Sequence, residues 1–163
     1  MRTIDILGDN RFDAYTKTRE GSRGIVIDGQ NRILLSWERN TDIWMIPGGG
    51  LEDGETKEAC CVRELREETG WTVQPLQQVV TLHEYYEEYR YITHFFLCRP
   101  IALGEQSLTD AEKRRGLTPT WVTVPQALGI FSRHAEYAED NEEKRGIYLR
   151  EYTALKEWLS EKD

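Results

Sequence analysis

GGLEDGETKEACCVRELREETGW, residues 49 to 71, decides how this chain is read. Thr56 is placed to cap a helix, and good helix formers run on to Gly70, which is suited to end it in a left-handed conformation. Within that helix Glu64, Glu67 and Glu68 fall at i, i+3 and i+4, so their carboxylates share about 100° of one face. Like charges at this spacing cost roughly 0.2–0.5 kcal/mol per pair on an exposed helix, and more in a partly buried cleft. Leu65, Val62 and Ala59 project from the opposite side. The expectation is a helix with one face on a core and its acids turned to solvent or into a cleft.

A solvated acidic face is the usual explanation of such a run. The competing explanation is chemical. Carboxylate oxygens are hard ligands, and a cluster of them suits Mg²⁺ or Mn²⁺, ions that also bind phosphate oxygens. Such an ion would cancel the repulsion, polarise a phosphoryl group and lower the pKa of a bound water. The Gly48-Gly49-Gly50 turn permits close backbone approach, so a carbonyl there can complete a coordination sphere. Arg63 lies beside the glutamate face and is placed to pair with Glu55, bracing the helix entrance. Cys60 and Cys61 sit close to that face, but thiolates are soft ligands, and both are read as small packing residues. An exposed thiol at either position would make activity sensitive to alkylation.

The same stretch resembles the Nudix box: Gly, five free positions, Glu, seven free positions, then Arg-Glu-apolar-any-Glu-Glu-any-Gly-apolar. Gly49, Glu55, Arg63, Glu64, Leu65, Glu67, Glu68, Gly70 and Trp71 occupy every fixed position. WMIPGGG before the box, and WVTV with the apolar helix Pro125 to Ile130 after it, resemble the usual flanking elements, so the likeness covers roughly residues 20 to 130. It implies an α/β/α sandwich with a mixed β-sheet, in an α/β chain read here as one domain over residues 1–163. It implies a hydrolase that uses water to cleave a nucleoside diphosphate linked to another group. Glu64, Glu67 and Glu68 would ligate Mg²⁺ or Mn²⁺, with the Gly48 carbonyl joining them. The general base varies within the family, between a box glutamate and a carboxylate on a distant loop. Glu112, in TDAEKRRGLTPTW, is the closest match to such a loop acid, with Glu84, Glu87 and Glu88 in competition and an ordinary charged loop as the bland alternative. The alternative function is a nucleotide-sensing module on the same fold that binds without turnover.

Outward from the box, Gly24 to Ile27 and Arg32 to Trp37 flank Asp28-Gly29-Gln30-Asn31, a hairpin signal. A short strand from Ile43 to Ile46 is expected to stop at Pro47, with an irregular loop through the glycines. Strand-like stretches from Gln77 to Tyr86 and Tyr91 to Cys98 are joined at Glu87-Glu88. A polar loop from Gly104 to Thr118 leads to a strand from Thr120 to Val124, and Pro125 opens the next helix. Apolar residues at helical spacing mark a last helix from Ile147 to Leu159. Arg39, after the second strand, is a candidate for phosphate or base contact. Tyr85, Tyr86, Tyr89 and Tyr91 are candidates for stacking on a base, Tyr89 standing 18 residues after Trp71 as in dinucleoside polyphosphate hydrolases.

Composition narrows the partners. A formal charge of -8 over 163 residues opposes a broad nucleic-acid-binding surface but not a small nucleotide-like diphosphate held through metal. The N-terminal MRTIDILGDN has no apolar core of signal-peptide length, and no run of about 18 apolar residues follows. Cys60, Cys61 and Cys98 form no disulfide framework. These features predict a cytoplasmic protein with no membrane partner. Nudix proteins are often homodimers, a state open to this chain. A (d)NTP, a nucleotide sugar and a dinucleoside polyphosphate all remain as substrates.

Overall fold

The computed structural model describes residues 1–8 and 14–162; Asp9 and Asn10, which end the N-terminal stretch read above, lie outside them. In chain order the elements are β1 (Arg2–Leu7), β2 (Lys17–Val26), β3 (Arg32–Glu38), β4 (Ile43–Met45), β5 (Gly48–Gly50) and α1 (Lys57–Thr69). There follow β6 (Trp71–Tyr86), β7 (Tyr89–Leu103), α2 (Asp110–Arg115), β8 (Leu117–Thr123), α3 (Val124–Phe131), a 3₁₀ turn (His134–Tyr137) and α4 (Glu142–Ser160).

Five strands form a mixed sheet in the order β1-β6-β7-β2-β5, and β4-β3-β8 form a second, antiparallel sheet. In the first, β1 runs parallel to β6 and β2 parallel to β7, while β6 and β7 make a long antiparallel ribbon. Glu87 turns that ribbon with a φ of 51°, the left-handed backbone that tight hairpin turns require. Alternation sorts the side chains into two layers. Val26, Phe96 and Cys98 meet Cys61 and Leu65 of α1 on one face. Ile25, Val80, Leu82 and Phe95 meet Tyr148, Ala154, Leu155 and Trp158 of α4 on the other. The result is the expected α/β/α sandwich around a mixed sheet.

Several local expectations change. The turn at Asp28–Asn31 forms, with Asp28 Oδ1 accepting from the Gln30 and Arg32 amides. Yet β2 and β3 do not continue as a hairpin ladder: a single Ile27–Ile33 bridge joins them before β3 leaves to pair with β4 and β8. The glycines after Pro47 are not irregular loop. They form β5, antiparallel to Gly21–Arg23, because backbone without side chains can lie flat beneath the carboxylates of α1. The polar stretch from 104 to 118 contains α2, a short helix closed by a capping box in which the Thr109 hydroxyl accepts from the Glu112 amide and the Glu112 carboxylate accepts from the Thr109 amide. The ribbon strands also run longer than expected, β6 beginning at Trp71 and β7 ending at Leu103. Among the described residues no helix is long and apolar enough to cross a membrane.

Candidate active site

The helix α1 begins where expected, Thr56 Oγ1 accepting from the Ala59 amide, and ends at Gly70 with φ 81°. Its buried face is not the expected one. Ala59 is exposed and Val62 half-buried, whereas Cys60, Cys61, Leu65, Glu68 and Thr69 are buried. The helix is rolled so that Glu64 and Glu68 press on β5 instead of turning away from the core. Glycine makes this possible: a Cβ at Gly49 would lie 2.5 Å from the Glu64 carboxyl carbon.

Arg63 organises the rim of the cluster. Its Nε and Nη2 donate to both oxygens of Glu55 at 2.7 and 2.9 Å, the forked geometry expected of this pair. Nη2 also donates to the Gly50 carbonyl, and Nη1 reaches Glu64 at 3.0 Å and Glu67 at 3.2 Å. One guanidinium thus stands where the three negative charges converge, and it holds Glu55 down to about 2. Glu68 lies deeper, only 7% exposed, and Oε2 accepts from the Gly48 amide at 3.0 Å. Burial pushes Glu68 up to about 8 against the pull of Arg23, and burial likewise raises Glu64. A group whose charged form is this costly stays ionised at neutral pH only with further positive charge nearby.

These residues fit a hard divalent cation. The three side chains present carboxylate oxygens, which are hard ligands, and the glycine backbone of β5 lies against Glu64 and Glu68. Among the described residues no three carboxylate, imidazole or thiol groups stand already gathered as a metal site, and Arg63 engages Glu64 and Glu67. The charge of Glu112 in α2 contributes to raising both Glu64 and Glu68.

The other singled-out residues are dispersed. Arg39 is exposed and its Nε donates to the Gly116 carbonyl at 3.2 Å, tying the end of β3 to the end of α2. Tyr89 stacks on Tyr91 at 5.4 Å beside Lys17 and Arg19, four positions along β2 from Gly21, which faces Gly50. Tyr86 and Tyr91 line an open cavity of about 520 Å³ between the β6–β7 ribbon and α4, together with Glu84, Glu87 and Arg150. Tyr85 points to the opposite face, against Tyr15. Cys60 and Cys61 are fully buried, Cys60 Sγ against the Gly49 carbonyl and Cys61 Sγ 3.8 Å from Cys98 Sγ, so neither thiol meets the exposure that sensitivity to alkylation requires.

Sequence reasoning passed over Arg23 and Glu151. Burial lowers Arg23, and its Nη1 donates to the Ile46 carbonyl at 2.6 Å. Glu151 is 0% exposed and accepts from the Ile46 amide at 2.6 Å. Both carried a legible signal: a lone arginine in the strand SRGIVI, and a glutamate in phase with Tyr148, Leu155 and Trp158 on the core stripe of the last helix.

The NUDIX domain matches residues 17–144 of the chain. A protein of Bacillus subtilis strain 168 that carries the provisional name of an 8-oxo-dGTP diphosphatase is 28% identical over 127 residues, 78% of this chain and 80% of that protein. Diphosphoinositol polyphosphate phosphohydrolase 3-alpha of Mus musculus is 29% identical over 114 residues, and the match spans 66% of each chain. Among solved structures, the MutT protein of Methanosarcina mazei Go1 superposes with a TM-score of 0.62 at 17% identity, covering 94% of this chain and 99% of that one.

Proposed function

The chain belongs to the NUDIX domain family, and from that premise we propose that it hydrolyses the diphosphate bond of a nucleotide-like substrate at the cluster of Glu64, Glu67 and Glu68. The observation that carries the reading is the roll of α1, which presses half-buried Glu64 and buried Glu68 onto side-chain-free backbone at Gly48 and Gly49 while Arg63 holds Glu55, Glu64 and Glu67.

Nudix hydrolases generally use divalent metal. Here Glu64, Glu67, Glu68 and the Gly48 carbonyl would hold Mg²⁺ or Mn²⁺, which supplies charge neutralisation at the phosphoryl oxygens and a more acidic water. Arg63 and Glu55 fix the loop between β5 and α1, so the carboxylates keep their geometry when substrate arrives. Glu112 is the candidate general base. Its Oε1 accepts from the Thr109 amide, which anchors the side chain, and its other oxygen takes the proton of the attacking water. Arg39, whose Nε donates to the Gly116 carbonyl at the end of α2, is the candidate phosphate contact. Tyr86 and Tyr91, which line the cavity beside α4, and Tyr89, which stacks on Tyr91, are the candidates for stacking on a base.

Nucleoside triphosphates, 8-oxo-dGTP, ADP-ribose, nucleotide sugars and dinucleoside polyphosphates form the panel that tests this. The protein is incubated with each and Mg²⁺, and products are identified by mass. One class should release a nucleoside monophosphate or diphosphate product. Glu67→Gln and Glu68→Gln should each lower its turnover by at least about 100-fold with the circular dichroism spectrum unchanged. Near-normal turnover in both variants would remove these glutamates from the mechanism. Saturable binding with no product in any mixture would make the chain a nucleotide sensor.

A further inference from the structure

The path from β4 to β5 crosses from one sheet to the other within Ile46 and Pro47, and it delivers Gly48 to Glu68. Both polar groups of Ile46 are engaged by charged side chains from different elements. Its amide donates to Glu151 Oε2 of α4 at 2.6 Å, and its carbonyl accepts from Arg23 Nη1 of β2 at 2.6 Å. The same helix engages Trp44, whose amide donates to Tyr148 Oη at 3.2 Å, and the Gly24 amide donates to the Pro47 carbonyl at 3.0 Å. Four hydrogen bonds therefore fix Trp44, Ile46 and Pro47, in the stretch immediately before the glycine cradle.

A buried carboxylate is a poor device for stability alone. Glu151 is 0% exposed and its other oxygen accepts from Arg150 Nε at 2.8 Å, an ion pair inside the protein. Replacing such pairs by apolar residues of similar size is often neutral or stabilising, because desolvation offsets the attraction. What an apolar residue lacks is an acceptor for the Ile46 amide. A displacement of about 1 Å at a catalytic group costs on the order of 100-fold in rate, so that acceptor matters to chemistry more than to folding.

We propose that Glu151 of the last helix is a positioning residue for the catalytic cluster: with Arg23 it grips the Ile46 peptide from both sides and so sets where the Gly48 amide meets Glu68. The proposal rests on the hydrolase reading above, but it concerns backbone placement and is testable in protein that turns nothing over. It also gives α4 a part in the site, although the helix contributes no residue to the box.

Two conservative variants separate reach from charge. Glu151→Gln keeps the length and an acceptor oxygen but loses the charge, whereas Glu151→Asp keeps the charge and loses the reach. The expected result is that Glu151→Asp lowers kcat at least about 10-fold with KM changed less than about threefold. Glu151→Gln retains kcat within about threefold. Mn²⁺ binding to substrate-free protein, read by electron paramagnetic resonance, should weaken at least about fivefold in the aspartate variant and stay within about twofold in the glutamine variant. Equal Mn²⁺ affinities in wild type and both variants would overturn the proposal, whether or not a substrate has been found. So would the reverse order, with glutamine the more damaging change, since that would make the charge and not the acceptor the working part. If wild type hydrolyses nothing on the panel, the hydrolase reading fails alone, and the Mn²⁺ comparison still decides the role of Glu151.

Discussion

Glu68 combines a legible position with an illegible environment. Its place on the acidic face follows from helical spacing alone, because i, i+3 and i+4 must share a side. Its burial does not follow, because the surface that covers it is the backbone of β5, and glycines carry no periodicity from which a packing face can be read. The consequence is a pH dependence with a definite sign. The ordinary value of 4.5 is raised to about 8 in the folded chain, so stability present at low pH is lost as pH climbs between those values. In metal-free protein with EDTA, Glu68→Gln lacks that loss. Its melting temperature should therefore gain on wild type from pH 5 to 8 by at least about 2–4 °C, the shift that roughly 1 kcal/mol produces in a chain of this size. A constant difference across the range would show that Glu68 is not held neutral. Mg²⁺ should shrink the difference, since a cation at the carboxylate favours its charged form.

At the scale of elements, the ends of α1 were readable and the surfaces it touches were not. Thr56 and Gly70 carry their own local chemistry, an acceptor for a free amide and freedom at positive φ. Alanine at Gly70 would face both a φ of 81° and the Gly104 carbonyl 2.5 Å from its Cβ, so Gly70→Ala should cost more than about 1 kcal/mol in urea denaturation. Gly49→Ala separates site from fold. The atoms nearest its Cβ belong to the Glu64 carboxylate, a side-chain end and not backbone, so turnover and Mn²⁺ affinity should each fall at least about 10-fold while the melting temperature holds within a few degrees. Unchanged Mn²⁺ affinity would count against the glycine cradle. The helix α2 shows a signal that was present and unused. Thr109 and Glu112 spell a capping box, yet six residues of charged sequence have no apolar stripe to announce a helix.

For the whole molecule, the layers and the mixed sheet followed from the likeness of residues 49 to 71 and their flanks to the Nudix box, with the strand-like runs and amphipathic helices in agreement. The pairing was not. β2 and β3 look like a hairpin because the turn chemistry at Asp28 is local, but their partners are chosen by burial on both faces, and the strands diverge after one bridge into separate sheets. β1 carried an unused signal, Ile4 and Ile6 alternating with Thr3 and Asp5, but not its partner, which lies far away in the chain, Arg2 facing Val80. Ile4 and Ile6 pack on the core from that edge strand. A chain lacking residues 1–7 should therefore unfold at a melting temperature at least about 5 °C lower and aggregate on the uncovered edge of β6. An equal melting temperature would mean the strand adds nothing.

The parallel register of β1 on β6 and β2 on β7 also sets a timetable for biosynthesis. Arg2 waits for Val80 and Lys17 for Tyr89. At about 5–20 residues per second, the ribosome leaves each early strand without its neighbour for roughly 4–16 s. During that interval the alternating isoleucines of β1 and the apolar half of β2 have no sheet to join. The nascent chain in that window is the form in which a chaperone has the most to bind.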